Sequence, residues 1–157
     1  MVTAATLLKT VSGTGGLTLT GGTETLSGTN TYTGATNVNT GATLNLTGNG
    51  SLANSAVVDN GTLTVQSNSS VAGLTGSGSL VLDGHSLALN NAAGTFAGTI
   101  SGDGGLVVNA GTAVLTGANT YTGGTTINGG TLEVARIRTW GDWQWRYAEW
   151  RDFAYYR

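Results

Sequence analysis

Residues 115–134 read LTGANTYTGGTTINGGTLEV, and residues 26–46 read LSGTNTYTGATNVNTGATLNL. Both segments contain Asn-Thr-Tyr-Thr-Gly followed by Gly-x-Thr-Leu-x-(Leu/Val), and the earlier copy has one extra residue. Self-similarity of this kind predicts a stack of repeating units in which each unit packs on its neighbours. Such a stack works through its surface and its length rather than through one pocket.

Shorter repeated sequence patterns indicate that each unit is built from short β-strands. In each pattern, two apolar residues are separated by one other residue, so both face the same side of a strand. Turns rich in glycine therefore alternate with apolar pairs that face inward. The pairs recur at intervals of roughly 17 to 26 residues, which is the length of one solenoid turn. We therefore predict an all-β fold, a parallel β-solenoid formed by a single chain, with roughly five to seven turns of three short strands each. Gly-x-Gly-x-Leu-x-(Leu/Val) occurs at 13–19, 76–82 and 102–108, and Thr-Leu-x-(Leu/Val) at 43–46, 62–65 and 131–134.

The composition fits stacked turns. The 157 residues include 27 Gly and no Pro, and 9% are charged. Glycine and asparagine tolerate positive φ and suit corners, while a charge repeated in every turn would face its own copies about 4.8 Å away. There is no Cys for disulfides and no apolar run long enough for a transmembrane helix. The start of the chain lacks the pattern of a secretion signal, so we expect either an intracellular protein or a piece of a longer one.

The run at 95–134, TFAGTISGDGGLVVNAGTAVLTGANTYTGGTTINGGTLEV, resembles the passenger-associated transport repeat of bacterial autotransporters. The resemblance rests on F-x-G-x-I-x-G-x-G-x-L followed by L-T-G-x-N-T-Y-T-G-G-T-x-I-x-x-G-T-L-x-V, and residues 26–46 form a looser second copy. It implies a right-handed parallel β-helix at the surface of a Gram-negative bacterium, or released from it. It also implies a non-enzymatic stalk that supports folding and export of the passenger. A full-length parent would carry a signal peptide and a C-terminal outer-membrane barrel.

The repeat motif gives the candidate site residues. The two tyrosines occupy the same motif position, so we expect them to play equivalent roles, packing at a corner of the solenoid. Leu, Val and Ile pairs are expected to form the core. The motif residues are Asn30, Thr31, Tyr32, Thr33, Gly34, Asn119, Thr120, Tyr121, Thr122 and Gly123.

The pattern stops after Val134, so we divide the chain into a β-helix domain at 1–134 and a tail at 135–157 that is rich in Arg and aromatic residues. The domain carries a net charge of −4 and the tail +2. A helix from about Thr139 is the preferred interpretation, since Trp140, Trp143, Tyr147 and Trp150 then share one face. A strand with alternating Trp143, Trp145 and Tyr147 is the alternative.

The tail has three candidate roles. It caps the open end of the solenoid, it is an accidental sequence without structure, or it binds a membrane surface or a partner. Capping is the interpretation we favour, because an open end exposes an unpaired strand edge and apolar side chains.

The sequence offers few residues that could catalyse a reaction or bind a metal ion. His85 in an Asp-Gly-His turn has no evident nucleophile or base beside it, and Asp59, Asp83 and Asp103 each precede Asn or Gly, where Asp suits turn geometry. We therefore predict no catalytic, cofactor or metal site and no small-molecule substrate. The negative domain also argues against nucleic-acid binding. Thr-x-Thr pairs at 18/20, 31/33, 62/64 and 120/122 raise the possibility of an ice-binding array, but their different contexts predict that they do not line up.

The sequence thus favours a structural segment of a secreted autotransporter passenger. The alternatives are an engineered or truncated solenoid scaffold with an added cap, an adhesive or ice-binding threonine face, and a polysaccharide-cleaving β-helix with clustered carboxylates. Docking of the tail on a second copy would give end-to-end self-association.

Removal of residues 135–157 tests the capping interpretation. We expect the truncated chain to keep its β-structure but to melt at a lower temperature and to assemble more readily, because the terminal strand edge becomes unprotected. Circular dichroism and sedimentation measure both properties. A truncated chain that stays monomeric with an unchanged melting temperature would contradict capping.

Overall fold

The computed structural model describes residues 5–7 and 10–135 of the chain. The expected tail helix and cap, with Trp140, Trp143, Tyr147 and Trp150, lie outside the described residues. Every regular element within the described ranges is a β-strand, and these ranges contain no helix that could cross a membrane. The strands are β1 (Ala5–Leu7), β2 (Leu17–Leu19), β3 (Gly22–Leu26), β4 (Thr36–Val38), β5 (Ala42–Leu46), β6 (Leu52–Asp59), β7 (Thr62–Val65), β8 (Ser69–Gly76), β9 (Ser79–Leu82), β10 (Leu87–Leu89), β11 (Thr95–Phe96), β12 (Thr99–Gly102), β13 (Leu106–Val108), β14 (Thr112–Leu115), β15 (Thr125–Ile127) and β16 (Thr131–Val134).

All pairings between these strands are parallel, and each strand pairs with its counterparts in the turns before and after it. One sheet has six strands in the order β1-β3-β5-β7-β9-β12. Partners in this sheet are 17 to 20 residues apart, as in Thr62–Ser79 and Ser79–Thr99. The chain is therefore a β-solenoid of about six turns, which confirms the predicted fold class.

A ten-stranded sheet covers the rest of the solenoid and divides into two arms. The first arm contains β2, β4, the end of β6, the end of β8, β11, β14 and β16. The second arm contains the start of β8, β10, β13 and β15. The long strands β6 and β8 run from the second arm into the first: Leu52 at the start of β6 pairs with Val71 in the second arm, and a register irregularity follows between Leu52 and Ala56. A turn such as β12, β13 and β14 thus places one strand on each of three faces.

The core lies inside the stack and consists of apolar columns. Along β5 the burial alternates strictly, with Ala42, Leu44 and Leu46 buried and the residues between them facing outward. β7 and β9 repeat this alternation, so Leu44, Leu63 and Leu80 stack directly on one another. Burial of each leucine side chain removes apolar surface from water and stabilises the fold by about 2 kcal/mol. The apolar pairs identified in the sequence are therefore the inward residues of the strands.

Glycines form a column at the corner between the first arm and the six-stranded sheet. A Cβ atom on Gly98 would overlap the carbonyl oxygen of Gly78, and one on Gly78 would overlap that of Gly61. Gly117 stands in the same relation to Gly98. The chain turns so tightly here that the backbone of one turn fills the space of a side chain in the next. Glycine is required for this close approach.

Substitution of Gly98 by alanine should destabilise the solenoid by ~3 kcal/mol, because backbone in the neighbouring turn must move to admit a methyl group. Urea unfolding followed by circular dichroism measures the change. Gly21→Ala is the matched control, since an added Cβ meets open space there and Gly21 has no positive φ. Equal losses at the two positions would contradict the role assigned to the glycine column.

Candidate functional site

The first copy of the repeat motif forms a buried chain of hydroxyl groups. The Tyr32 hydroxyl hydrogen-bonds with Thr36 Oγ1 at 2.6 Å, and Thr36 Oγ1 with Ser55 Oγ at 2.8 Å. Ser55 Oγ in turn donates to the carbonyl oxygen of Gly34 at 2.7 Å. Thr36 and Ser55 are fully buried, and burial raises the pKa of Tyr32. Since each of these three hydroxyl groups has a partner, the network joins two turns without an unsatisfied polar group of its own.

The second copy repeats this arrangement at the C-terminal end of the described stack. The Tyr121 hydroxyl hydrogen-bonds with Thr125 Oγ1 at 2.5 Å, again four residues on. Tyr121 is half-buried and Thr125 is exposed, whereas Tyr32 and Thr36 are buried. In the first copy Ser55, from the following turn, covers Thr36. The two copies have the same internal chemistry and differ in whether a described turn lies over them.

The motif asparagines also behave alike. Asn30 Oδ1 accepts a hydrogen bond from the Val11 N–H at 3.0 Å, and Asn119 Oδ1 accepts one from the Ile100 N–H at 2.9 Å. In both cases the donor lies 19 residues earlier, one turn away. Gly34 and Gly123 sit where a Cβ atom would overlap the backbone of the preceding turn, at Gly15 and Gly104 respectively. The remaining motif threonines, Thr31, Thr33, Thr120 and Thr122, are exposed.

The two copies do not occupy the same faces of the solenoid. In the first, β5 pairs through Thr43 with Thr62 in the six-stranded sheet. In the second, the equivalent β16 pairs through Thr131 with Thr112 in the ten-stranded sheet. The motif therefore specifies the local structure of a corner and of the strands that follow it. It does not specify which corner of the solenoid it occupies.

An asparagine ladder follows the second arm and was missed by the sequence analysis. Asn109 Nδ2 donates to Asn90 Oδ1 at 3.0 Å, and Asn128 Nδ2 donates to Asn109 Oδ1 at 2.9 Å. Stacked amides of this kind hold the register between turns. The signal available in the sequence was the spacing of 19 residues between successive asparagines, each directly after an apolar residue.

The aspartates considered as a possible cleaving cluster are spread over two corners. Asp83 and Asp103 are exposed and follow the paired residues Leu82 and Gly102 in the six-stranded sheet. Asp59 instead ends β6 and points into the core. His85 Nδ1 contacts the carbonyl oxygen of Asp83 in the turn after β9. Among the described residues no group of three or more His, Cys, Asp or Glu side chains is placed to hold a metal ion.

Asp59 is a fully buried carboxyl group in a column of apolar residues. In the stacked register it lies between Val38 and Gly76. Its Oδ1 accepts a hydrogen bond from the Gly61 N–H at 3.0 Å, an Asx turn of the kind the Asp-Asn-Gly sequence predicts. Its Oδ2 has no partner among the described residues. Burial therefore raises the pKa of Asp59 to about 6, although the Gly61 hydrogen bond acts in the opposite direction.

The Thr-x-Thr pairs considered above for an ice-binding array, at 18/20, 31/33, 62/64 and 120/122, occupy different parts of the solenoid. Thr18 lies in β2 of the ten-stranded sheet, and Thr62 and Thr64 lie in β7 of the six-stranded sheet. Thr31 and Thr33 precede β4 and belong to no strand. The N–H groups of Thr120 and Thr122 bond to the carbonyl oxygens of Ile100 and Gly102 along the edge of β12. As predicted, these four pairs do not form one array.

Comparison with known families agrees with this geometry. Residues 21–43 and 108–134 match the family model of the passenger-associated-transport-repeat. Each match contains one copy of the Tyr–Thr corner and lies within the stack of parallel strands. These two segments are thus similar to the passenger-associated-transport-repeat, and the β-solenoid that contains them fits an autotransporter passenger β-helix. No curated protein and no solved structure shows significant similarity to it.

The buried carboxyl group predicts a pH-dependent stability. The folded-state pKa of about 6 lies above the unfolded value of 3.8, so the native state holds the proton more tightly. Stability is then greatest below about pH 4 and falls as the pH rises through 6, by up to ~3 kcal/mol. Asp59→Asn keeps an acceptor for the Gly61 N–H and removes the charge. The free energy of unfolding of Asp59→Asn, measured with urea, should exceed that of the wild type by an amount that grows between pH 4 and pH 7.

Asp103→Asn is the matched control, because Asp103 is exposed on the surface. We expect it to change stability by less than ~0.5 kcal/mol at either pH. A constant difference between Asp59→Asn and the wild type across this pH range would show that the Asp59 carboxyl is not buried as described.

Proposed function

We propose that this chain is a non-enzymatic structural segment of a secreted autotransporter passenger, and that its folding outside the cell assists export of the parent protein. The observation that carries the proposal is the presence of two passenger-associated transport repeats within one stack of turns. The family is associated with secreted passengers, which supports a location outside the cell or at its surface. The parent's remaining parts are expected to include an outer-membrane barrel at the C-terminus.

Stacking supplies a physical reason for a role in export. Every strand of the six-stranded sheet pairs only with the turns before and after it, so a solenoid extends one turn at a time from a folded end. Each added turn buries inward leucines and closes backbone hydrogen bonds. A segment that folds after passing the membrane is prevented from moving back, because return would require those turns to unfold.

The terminal turn provides the second part of the proposal. Tyr121, Ile127 and Val134 are apolar residues of this turn that pack against the core and are only partly buried. The Tyr–Thr corner here matches the buried corner formed by Tyr32, where a further turn provides the cover. We propose that the tail, residues 135–157, covers this end. Its aromatic residues suit an apolar surface of this kind.

Surface display of matched core variants tests the export role. Leu115 and Leu19 belong to the same inward column of the first arm, near opposite ends of the described stack. Leu115→Ala and Leu19→Ala should each cost 2–5 kcal/mol. The chain is placed between a signal peptide and an outer-membrane barrel, and display is measured by protease accessibility on intact cells. If the barrel lies at the C-terminus, residues near β16 leave the membrane first, so Leu115→Ala should reduce display more than Leu19→Ala.

Thr95→Ala, an exposed change on the same sheet, is the reference variant and should be displayed like the wild type. Display that falls equally for the two leucine variants would remove directional folding from the proposal. Display that is independent of both would refute a contribution of solenoid folding to export.

A further inference from the structure

The outward side of the six-stranded sheet carries two aligned columns of uncharged side chains, mostly with hydroxyl groups. The outward residues alternate with the buried core residues along each strand. We name this surface the hydroxyl face. Its first column is Thr23, Thr43, Thr62, Ser79 and Thr99, and its second is Thr25, Asn45, Thr64, Val81 and Ser101. Eight of these ten side chains are hydroxyls, and the first column has one in each of five consecutive turns.

The other two faces have the same strand geometry without this regularity. The outward column of the first arm mixes threonine with Asn37, Val58, Val114 and Glu133. The outward column of the second arm is Ser70, Ala88, Val107 and Thr126. The preference of strands for β-branched residues applies to all three faces alike. It therefore does not explain why hydroxyl groups repeat in every turn of one face.

The hydroxyl groups of the first column are available to a ligand. Among the described residues, none of these five side chains hydrogen-bonds to another part of the protein; in the second column Asn45 donates to Thr25 at 3.5 Å. Threonine is stiff at χ1, so the groups are held in place before a ligand arrives. They repeat at about 4.8 Å between turns and about 6.6 Å along a strand.

The chemistry of the hydroxyl face restricts what it fits. It carries no charge, so it offers nothing to an ionic ligand, and it has no aromatic side chain on which a sugar ring or base would stack. The backbone of β5, β7 and β9 is paired on both sides, so a peptide strand cannot add there. A periodic array of neutral hydroxyl and methyl groups is matched by a ligand that is itself periodic and uncharged, and that both donates and accepts hydrogen bonds.

We propose that the hydroxyl face binds the surface of crystalline ice. Ice is a rigid lattice of water molecules whose surface repeats are comparable in size with those of the two columns. Each threonine hydroxyl replaces a lattice water as hydrogen-bond partner, while its methyl group fills the space between lattice positions. No single contact is strong, and binding comes from many matched positions engaged at once on one rigid surface.

The full 157-residue chain tests this proposal through three measurements. These are thermal hysteresis, the shape of ice crystals grown in its presence, and partitioning of the protein into slowly frozen ice. Thr62→Lys places a long charged side chain at the centre of the first column. Thr95→Lys places the same side chain on the exposed outward column of the first arm. Circular dichroism spectra and melting temperatures, measured first, test whether both variants fold.

We expect the wild type and Thr95→Lys to shape ice and to partition into it. Thr62→Lys should lose these activities by about tenfold. Exclusion of the wild-type protein from ice would overturn the proposal, as would an equal loss in the two variants. Retention of the wild type on an insoluble polysaccharide such as cellulose, abolished by Thr62→Lys and without any effect on ice, would also overturn it and would assign the face to a polymer.

Discussion

Hydrogen bonding between successive turns is the constraint on which this molecule depends. A strand of the six-stranded sheet has its two neighbours at the same position one turn earlier and one turn later, so every residue stacks on its own counterparts. The pairing holds across turns of 17 to 20 residues because the corners, and not the strands, take up the difference in length. Whatever occupies a position must therefore tolerate a near copy of itself about 4.8 Å away.

This requirement explains which side chains the columns contain. Leucine stacks on leucine in the core, and amide stacks on amide from Asn90 to Asn128. Glycine stacks on glycine where two backbones meet at Gly78 and Gly98. Neutral groups gain from such repetition, whereas equal charges repel. Asp59 departs from the rule, since a carboxyl group replaces an apolar residue in one inward column, and its raised pKa follows from that position.

Much of the fold could be predicted from the sequence because strand and corner signals are local. Glycine followed by Leu-x-(Leu/Val) predicts which residues point inward, and the burial along β5, β7 and β9 agrees with that prediction. The face on which each strand lies was not predictable, because it depends on the summed length of all preceding corners. That is why β5 and β16, which share one motif, lie in different sheets.

The same reason concealed the hydroxyl face. Its members come from different local patterns, such as Thr43 in ATLNL and Ser79 in SLVL, and a search for Thr-x-Thr pairs finds two of the five strands, β3 and β7. The hydroxyls become a column only when the register brings together residues 17 to 20 positions apart. A periodic surface can therefore arise from an irregular sequence.

The division between core and surface columns separates two kinds of function in one stack. Whether a turn packs on the stack depends on its inward leucines and corner glycines. It does not depend on which side chains occupy the outward positions. The outward positions of the six-stranded sheet are free to change without disturbing the pairing that holds β3 to β12 together. A regular column on that face is consequently not required by folding, and its persistence through five turns, against mixed columns on both arms, points to a constraint that acts on the surface itself.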